Sequence, residues 1–238
     1  MTSGPHSSDM LDLRNKSTIN STSGINEPTH ENILQFHINM AVKEYMSGNH
    51  YDTLIEAKNQ YFSQTGQVNE EDDDYEARMN SFNDWYILQF VSKRNTRTVI
   101  KDYLTKYQID DRLAKSLLNV NHSLLEYTGN TFSGKIILKD ILHDKKIILP
   151  KDHPCLAIVK RDIFLGRTLE IDGMSYLLSG ICILPKEVKS IFNKESKKIR
   201  KLKDPKKERE YLMRVEFLKT KWKRYGHIGA AKIFIFED

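Results

Sequence analysis

The stretch NHSLLEYTGNTFSGKIILKDILHDKKIIL, Asn121–Leu149, decides how the rest of the chain is read. Before it, apolar residues recur every three or four positions. Within it they come in short runs of branched and aromatic residues broken by Gly, Asn and Asp. That change of spacing predicts strands at Ser123–Tyr127, Phe132–Leu142 and Lys146–Leu149. Downstream it predicts two more, Ala157–Leu169 with a break near Gly166, and Met174–Leu184. Thr128-Gly129-Asn130, His143-Asp144-Lys145 and Asp172-Gly173 supply the turns, the last a strong hairpin signal. So many short antiparallel strands in so few residues suit a small, partly closed barrel or roll, because a flat sheet would leave its edges exposed.

Working towards the N-terminus, Glu31–Val120 reads as four or five helices. Their apolar stripes are Leu34, Ile38, Ala41, Val42 and Tyr45, then Leu54, Ile55, Tyr61 and Phe62, then Met79, Phe82, Trp85, Tyr86 and Phe90. Gly48 and Gly66 suit helix ends, and Thr96 and Asp110 suit N-caps of two shorter helices. The run Glu70–Asp74 falls at the start of the third helix, where the dipole favours negative charge. Met1–Glu31 is rich in Ser, Thr and Asn without periodicity, and is expected to be a disordered tail.

Towards the C-terminus, Pro185 closes the last strand and two amphipathic helices follow. The second opens at Asp204-Pro205, a cap followed by proline at the first helical position. Lys232–Phe236 could form a last strand or a short docking segment. The fold class expected is therefore α+β: a tail (1–31), a helical bundle (32–120), a small antiparallel β-barrel or roll (121–185) and a basic helical pair with a C-terminal segment (186–238).

Charge is divided unevenly. Met1–Ser92 holds 5 Lys/Arg against 14 Asp/Glu, a net of −9, whereas Lys93–Asp238 holds 32 against 18, a net of +14. Lys186–Arg209 alone has 11 Lys/Arg and 4 Asp/Glu. Such a field attracts phosphates or acidic protein surfaces, unless it is spent on solvation or on the acidic half of the same chain. The candidate polyanion-binding residues are Lys197, Lys198, Arg200, Lys201, Lys203, Lys206 and Lys207, with Lys219, Lys221, Lys223 and Arg224 around Trp222 as a second patch. Trp222 itself reads as a core anchor.

No motif assigns chemistry. Gly129–Lys135, GNTFSGK, matches the first seven positions of a phosphate-binding loop, but Ile136 cannot hold a metal and strand, not helix, follows it. It reads as a hairpin turn. Cys155 and Cys182 belong to no CxxC pattern, and no HExxH pattern occurs among the eight histidines; His153 and Cys155 would share a strand face but make no zinc set. Asp140, Asp144, Asp162 and Asp172 read as turn caps. No catalytic, cofactor-binding or metal-ligating residue is expected. No window has the roughly 18 apolar residues of a membrane span, and the N-terminus has no secretory core, so a cytoplasmic location is expected.

Two stretches carry a resemblance: EAKNQYFSQTGQVNEEDDDYEARMNSFNDWYILQF at Glu56–Phe90, and KIILKDILHDKKIIL with KRDIFLGRTLEIDGMSYLLSGICILPKE up to Glu187. Together they resemble a family of uncharacterised bacterial proteins of delta-proteobacterial type. More remotely they are similar to domains associated with SEC-C proteins, without the cysteine-rich zinc motif of that group. The resemblance implies no activity and no metal. The function expected is an intracellular, non-enzymatic binding or adaptor protein whose partners are acidic or amphipathic protein surfaces. The alternative is nucleic-acid binding through the basic helices, and a third is an enzyme whose site is assembled only in three dimensions.

Overall fold

The computed structural model describes residues 29–93, 96–154 and 158–236. The tail expected at Met1–Glu31 lies outside the described residues up to residue 28, as does Cys155. Thr29 opens the first helix, α1 (His30–Tyr45), by accepting the Asn32 N–H on its hydroxyl, and Leu34, Ile38, Ala41 and Tyr45 form its buried stripe. A 3-10 turn at Gly48–His50 leads into α2 (Tyr51–Thr65), which buries Leu54, Ala57, Tyr61 and Phe62 and ends at Gly66 with φ +88°. The third helix, α3 (Tyr75–Leu88), is buried on nearly every side of its second half, from Ser81 to Leu88 except Asn83. Two short helices, α4 (Val99–Lys106) and α5 (Asp111–Leu118), complete this part. Asp110 caps α5 as expected, accepting the N–H groups of Arg112 and Leu113. Thr98 rather than Thr96 precedes α4.

Six strands follow: β1 (Asn121–Asn130), β2 (Ile136–Asp140), β3 (Lys145–Leu149), β4 (Ile163–Ile171), β5 (Met174–Leu177) and β6 (Cys182–Leu184). They form one antiparallel sheet of order β3-β2-β1-β4-β5, with β6 pairing the first residues of β4. The sheet curls so that β3 approaches β5, yet no ladder joins them. The expected partly closed barrel or roll is a curled half-barrel, open between β3 and β5. Asp172 and Gly173 both have positive φ, 51° and 73°, which gives the β4–β5 hairpin the turn its dipeptide predicts.

Three expectations about the strands change. Phe132 stands in the β1–β2 loop, and β2 begins only at Ile136. Gly166 does not break a strand: it pairs with Ser123 inside β4, where an added Cβ would lie 3.0 Å from Leu177 and 3.3 Å from Phe164. The glycine is there for close packing. The single strand expected at Met174–Leu184 is divided into β5 and β6, because the chain between them turns against α3. There the Gly180 N–H donates to Asp84 Oδ2 at 3.0 Å, and a Cβ on Gly180 would lie 2.6 Å from the Ser81 Cα.

Both faces of the sheet are covered, so successive residues enter different cores. Leu125, Leu138, Ile147, Leu149, Phe164 and Leu177 fill the concave side. Leu124, Ile163, Leu165 and Leu184 face α6 (Lys189–Leu202) and α7 (Pro205–Arg224) through Phe192, Leu212 and Val215. Leu169, Ile171 and Tyr176 join the helical core of Tyr61, Phe82, Trp85 and Tyr86. The last described segment docks rather than pairs: Phe234 is buried, its ring 5.3 Å from that of Phe192 at 90°.

Candidate binding surface and the buried polar centre

The chain turns from α6 into α7 at Lys203, left-handed with φ 51°, and Asp204, whose carboxylate accepts the Lys206 and Lys207 N–H groups at 2.8 and 3.4 Å. This corner carries most of the first predicted patch. Lys197, Lys198, Lys201, Lys203, Lys206 and Lys207 are all exposed. Lys198 reaches Glu195 at 3.3 Å, while Lys206 and Lys207 share Glu210 at 4.0 and 2.9 Å. Lys197, Lys201 and Lys203 have no carboxylate within ion-pair distance among the described residues. Leu202 stands among them, 57% exposed. Arg200 leaves the patch: it donates to the carbonyls of Ile141 and Leu142 at 3.3 and 3.0 Å, tying α6 to the β2–β3 turn.

The second predicted patch is split. Lys219 rests against Asp74, Lys223 against Asp73 and 3.6 Å from Asp74, and Arg224 donates to the Gln67 carbonyl at 2.8 Å. Lys221 is exposed without an ion pair among the described residues, and Arg224, also exposed, has the Gln67 carbonyl rather than a carboxylate. Trp222 is partly buried against the sheet-side core, as expected. The acidic run before α3 thus meets the end of α7, and Asp74 makes no side-chain cap. Between these two elements lies a cleft of about 280 Å³ bordered by Gln67, Asp72, Thr220, Lys223 and Arg224. Its opposite charges are largely engaged with one another.

Beneath this seam is a polar centre that the linear pattern does not announce. Arg78 and Glu216, both about 2% exposed or less, pair at 2.9 Å. Tyr61 donates to the same carboxylate at 2.6 Å, and its hydroxyl lies 2.9 Å from Ser81 Oγ. Arg78 also donates to the carbonyls of Thr65 and Gly66 at 3.2 and 2.8 Å. Arg167, wholly buried in β4, donates to Gln89 at 2.7 Å and Ser81 at 3.2 Å. Burial pushes the Asp84 carboxyl up to about 6, with Arg167 and the Gly180 N–H opposing. Burial likewise raises the Tyr61 hydroxyl well above its usual range. Arg78 also borders the cleft, and together these mostly buried groups join α2, α3, β4 and α7.

A second cluster puts a serine, an aspartate and a histidine side by side. Ser123 and Asn121 both donate to Asp140, and His143 meets it through its backbone N–H and Nδ1, both at 2.9 Å. Asp140 stands between the serine and the imidazole, so the hydroxyl is spent on a carboxylate and has no base to activate it. Burial pushes Asp140 up, but the hydrogen bonds from His143 and Ser123 outweigh it and hold the carboxyl below its usual range. The bond to Asp140 raises His143 in turn, and Glu208 stands 3.5 Å from its Nε2. GNTFSGK occupies the end of β1 and the hairpin loop, with strand after it, as expected. His153 pairs with Glu31.

A curled half-barrel sheet wrapped by seven described helices, with a lysine-rich corner between the last two, defines an α+β class. The model of a family of unknown function, DUF7986, matches residues 31–227, and the chain belongs to that family. No curated protein and no solved structure matches it. No helix among the described residues is long and apolar enough to cross a membrane, and no group of three or more His, Cys, Asp or Glu side chains there could hold a metal ion.

Proposed function

We propose that the chain is a non-enzymatic binding protein, an adaptor in kind, whose α6–α7 corner takes an acidic protein segment that also carries an apolar residue. The observation behind this reading is Leu202, 57% exposed between Lys201 and Lys203. Lysines alone would serve a phosphate backbone. A leucine held at a tight corner gains only from an apolar partner, by roughly 1.5–3 kcal/mol if fully buried. Residence in the cytoplasm and kinship with delta-proteobacterial and SEC-C-associated proteins belong to the same proposal.

The test is fluorescence anisotropy with three labelled probes: a short Glu-rich peptide containing leucine, the same peptide with serine for leucine, and a single-stranded oligonucleotide. The leucine peptide should bind most tightly, and Leu202→Ser should cost it roughly ten-fold while leaving the serine peptide unchanged. Nucleic acid is the second reading, favoured by the unpaired row Lys197, Lys201 and Lys203. An oligonucleotide bound more tightly than either peptide, and weakened about 10³-fold between 50 and 200 mM salt, would put that reading first.

A further inference from the structure

The other end of the sheet carries a different feature. The β1–β2 hairpin ends in Thr131-Phe132-Ser133-Gly134, and Phe132 is 115% exposed, more than in an extended chain, so both faces of its ring are in water. The turn is closed on itself. Thr131 N–H donates to the Lys135 carbonyl at 2.8 Å, Gly134 N–H to the Thr131 carbonyl at 3.0 Å, and Lys135 N–H to Thr131 Oγ1 at 3.0 Å. The Thr131 and Ser133 hydroxyls meet at 3.0 Å.

Cations stand behind this tip. The Lys160 side chain lies over Gly129, its Nζ 3.7 Å from where a Cβ would be, and the Lys151 Cβ lies 3.6 Å from the same point on Gly134. Lys135 ends the turn, and Val159 and Arg161 flank Lys160, Val159 being 62% exposed. None of Lys135, Lys151, Lys160 and Arg161 has an ion pair among the described residues. The nearby carboxylates Asp162 and Glu126 are taken by Lys186 and Lys189.

We propose that this hairpin tip is a peripheral docking point for an anionic lipid bilayer, with Phe132 entering the interface and Lys151 and Lys160 meeting headgroup phosphates. Three features favour a bilayer over a nucleic acid. The ring has no protein behind it, as a stacking platform would. Both tip hydroxyls are already paired, which lowers the cost of leaving water and leaves them no base edge to read. Lys160 and Lys151 lie against Gly129 and Gly134, three and two positions to either side of Phe132, so their charge stands behind the ring. Cations set behind an apolar tip match headgroup phosphates that lie outside the acyl boundary entered by an interfacial side chain.

The experiment is vesicle co-sedimentation of the whole chain at low salt, with phosphatidylcholine alone and phosphatidylcholine mixed with phosphatidylserine. The mixed vesicles should sediment the protein and the neutral ones should not. Phe132→Ala, which touches nothing in the fold, should weaken binding about ten-fold or more. Lys151→Glu with Lys160→Glu should weaken it by at least about five-fold per lysine. Lys101→Glu with Lys115→Glu, an equal charge reversal on α4 and α5, should change it far less. The proposal is overturned if the mixed vesicles bind no protein, if Phe132→Ala binds as wild type, or if the two reversals weaken binding equally. It is also overturned if a single-stranded oligonucleotide, and not the vesicle, loses affinity on Phe132→Ala.

Discussion

Lys203 and Lys223 belong to one lysine-rich region and stand at the two ends of α7, yet Lys223 rests on Asp73 while Lys203 faces water. Helix length makes the difference. The 20 residues of α7 span about 30 Å, enough to run from the corner with α6 to the acidic turn before α3. Along α7 the negative N-terminal part and the positive remainder therefore neutralise each other at one end only, while elsewhere Lys106 pairs with Glu44. A charge run in a sequence states how much charge is present, whereas the rigid element carrying it decides which part is spent inside the fold.

The largest effect should come from the pair under the closed end. Removing Arg78 or Glu216 strands its buried partner, and Glu216→Ala should cost about 3–5 kcal/mol in urea denaturation. If it costs under 1 kcal/mol, the seam between α2, α3 and α7 is held by packing alone. Next comes Gly180→Ala, whose Cβ would lie 2.5 Å from Asp84 Oδ2 and 2.7 Å from the Asn80 carbonyl. Its neighbours are backbone and a buried carboxylate, so a loss of about 1–3 kcal/mol is expected, seen as a lower thermal midpoint.

Asp84 gives a smaller effect with a definite sign. Its folded pKa, about 6, exceeds its ordinary value of 3.8, so between these values the folded state binds more protons than the unfolded one. This group makes the fold more stable as pH falls from above 6 towards 4, by up to about 3 kcal/mol. His122 acts the other way. Burial, with Arg167 and His143 adding to it, holds its pKa well below 6.5, so stability is lost as pH falls below 6.5. Asp84→Asn should remove the first contribution and leave the second. Denaturation midpoints at pH 7 and pH 5 should then fall more steeply on acidification in the variant than in wild type.

The helices, the change to strands at Asn121, the Asp110 and Asp204 caps and the Asp172-Gly173 hairpin were legible because each rests on local spacing or turn chemistry. The open edge of the half-barrel was not, since closure depends on how far the sheet curls. Nor were the Gly166 and Gly180 roles, which exist only against Leu177, Phe164 and Asp84. Of the candidate surface, the lysines of the corner could be named from composition. The diversion of Lys219, Lys223 and Arg224 to Asp74, Asp73 and Gln67 could not, because those partners lie far along the chain. Leu202 is not among the residues that the sequence pattern singles out. A signal existed in its position just before the Lys203-Asp204 stop, where a stripe residue has no neighbouring turn to cover it.

The smallest expected change in stability is also the sharpest test of the comparison. Lys201→Glu with Lys203→Glu alters two lysines that pair with nothing described, so the urea midpoint should not move measurably, while binding to the acidic leucine peptide should be lost. Lys223→Glu should behave in reverse. It places a carboxylate against Asp73 and Asp74, loosens the end of α7 and lowers the midpoint, and leaves the peptide affinity as it was. Because an exposed pair contributes under about 1 kcal/mol, most of that loss would come from the new repulsion, and it should shrink as salt is raised. If both double and single variants shift stability alike, the two ends of α7 do the same work and the corner is no separate surface.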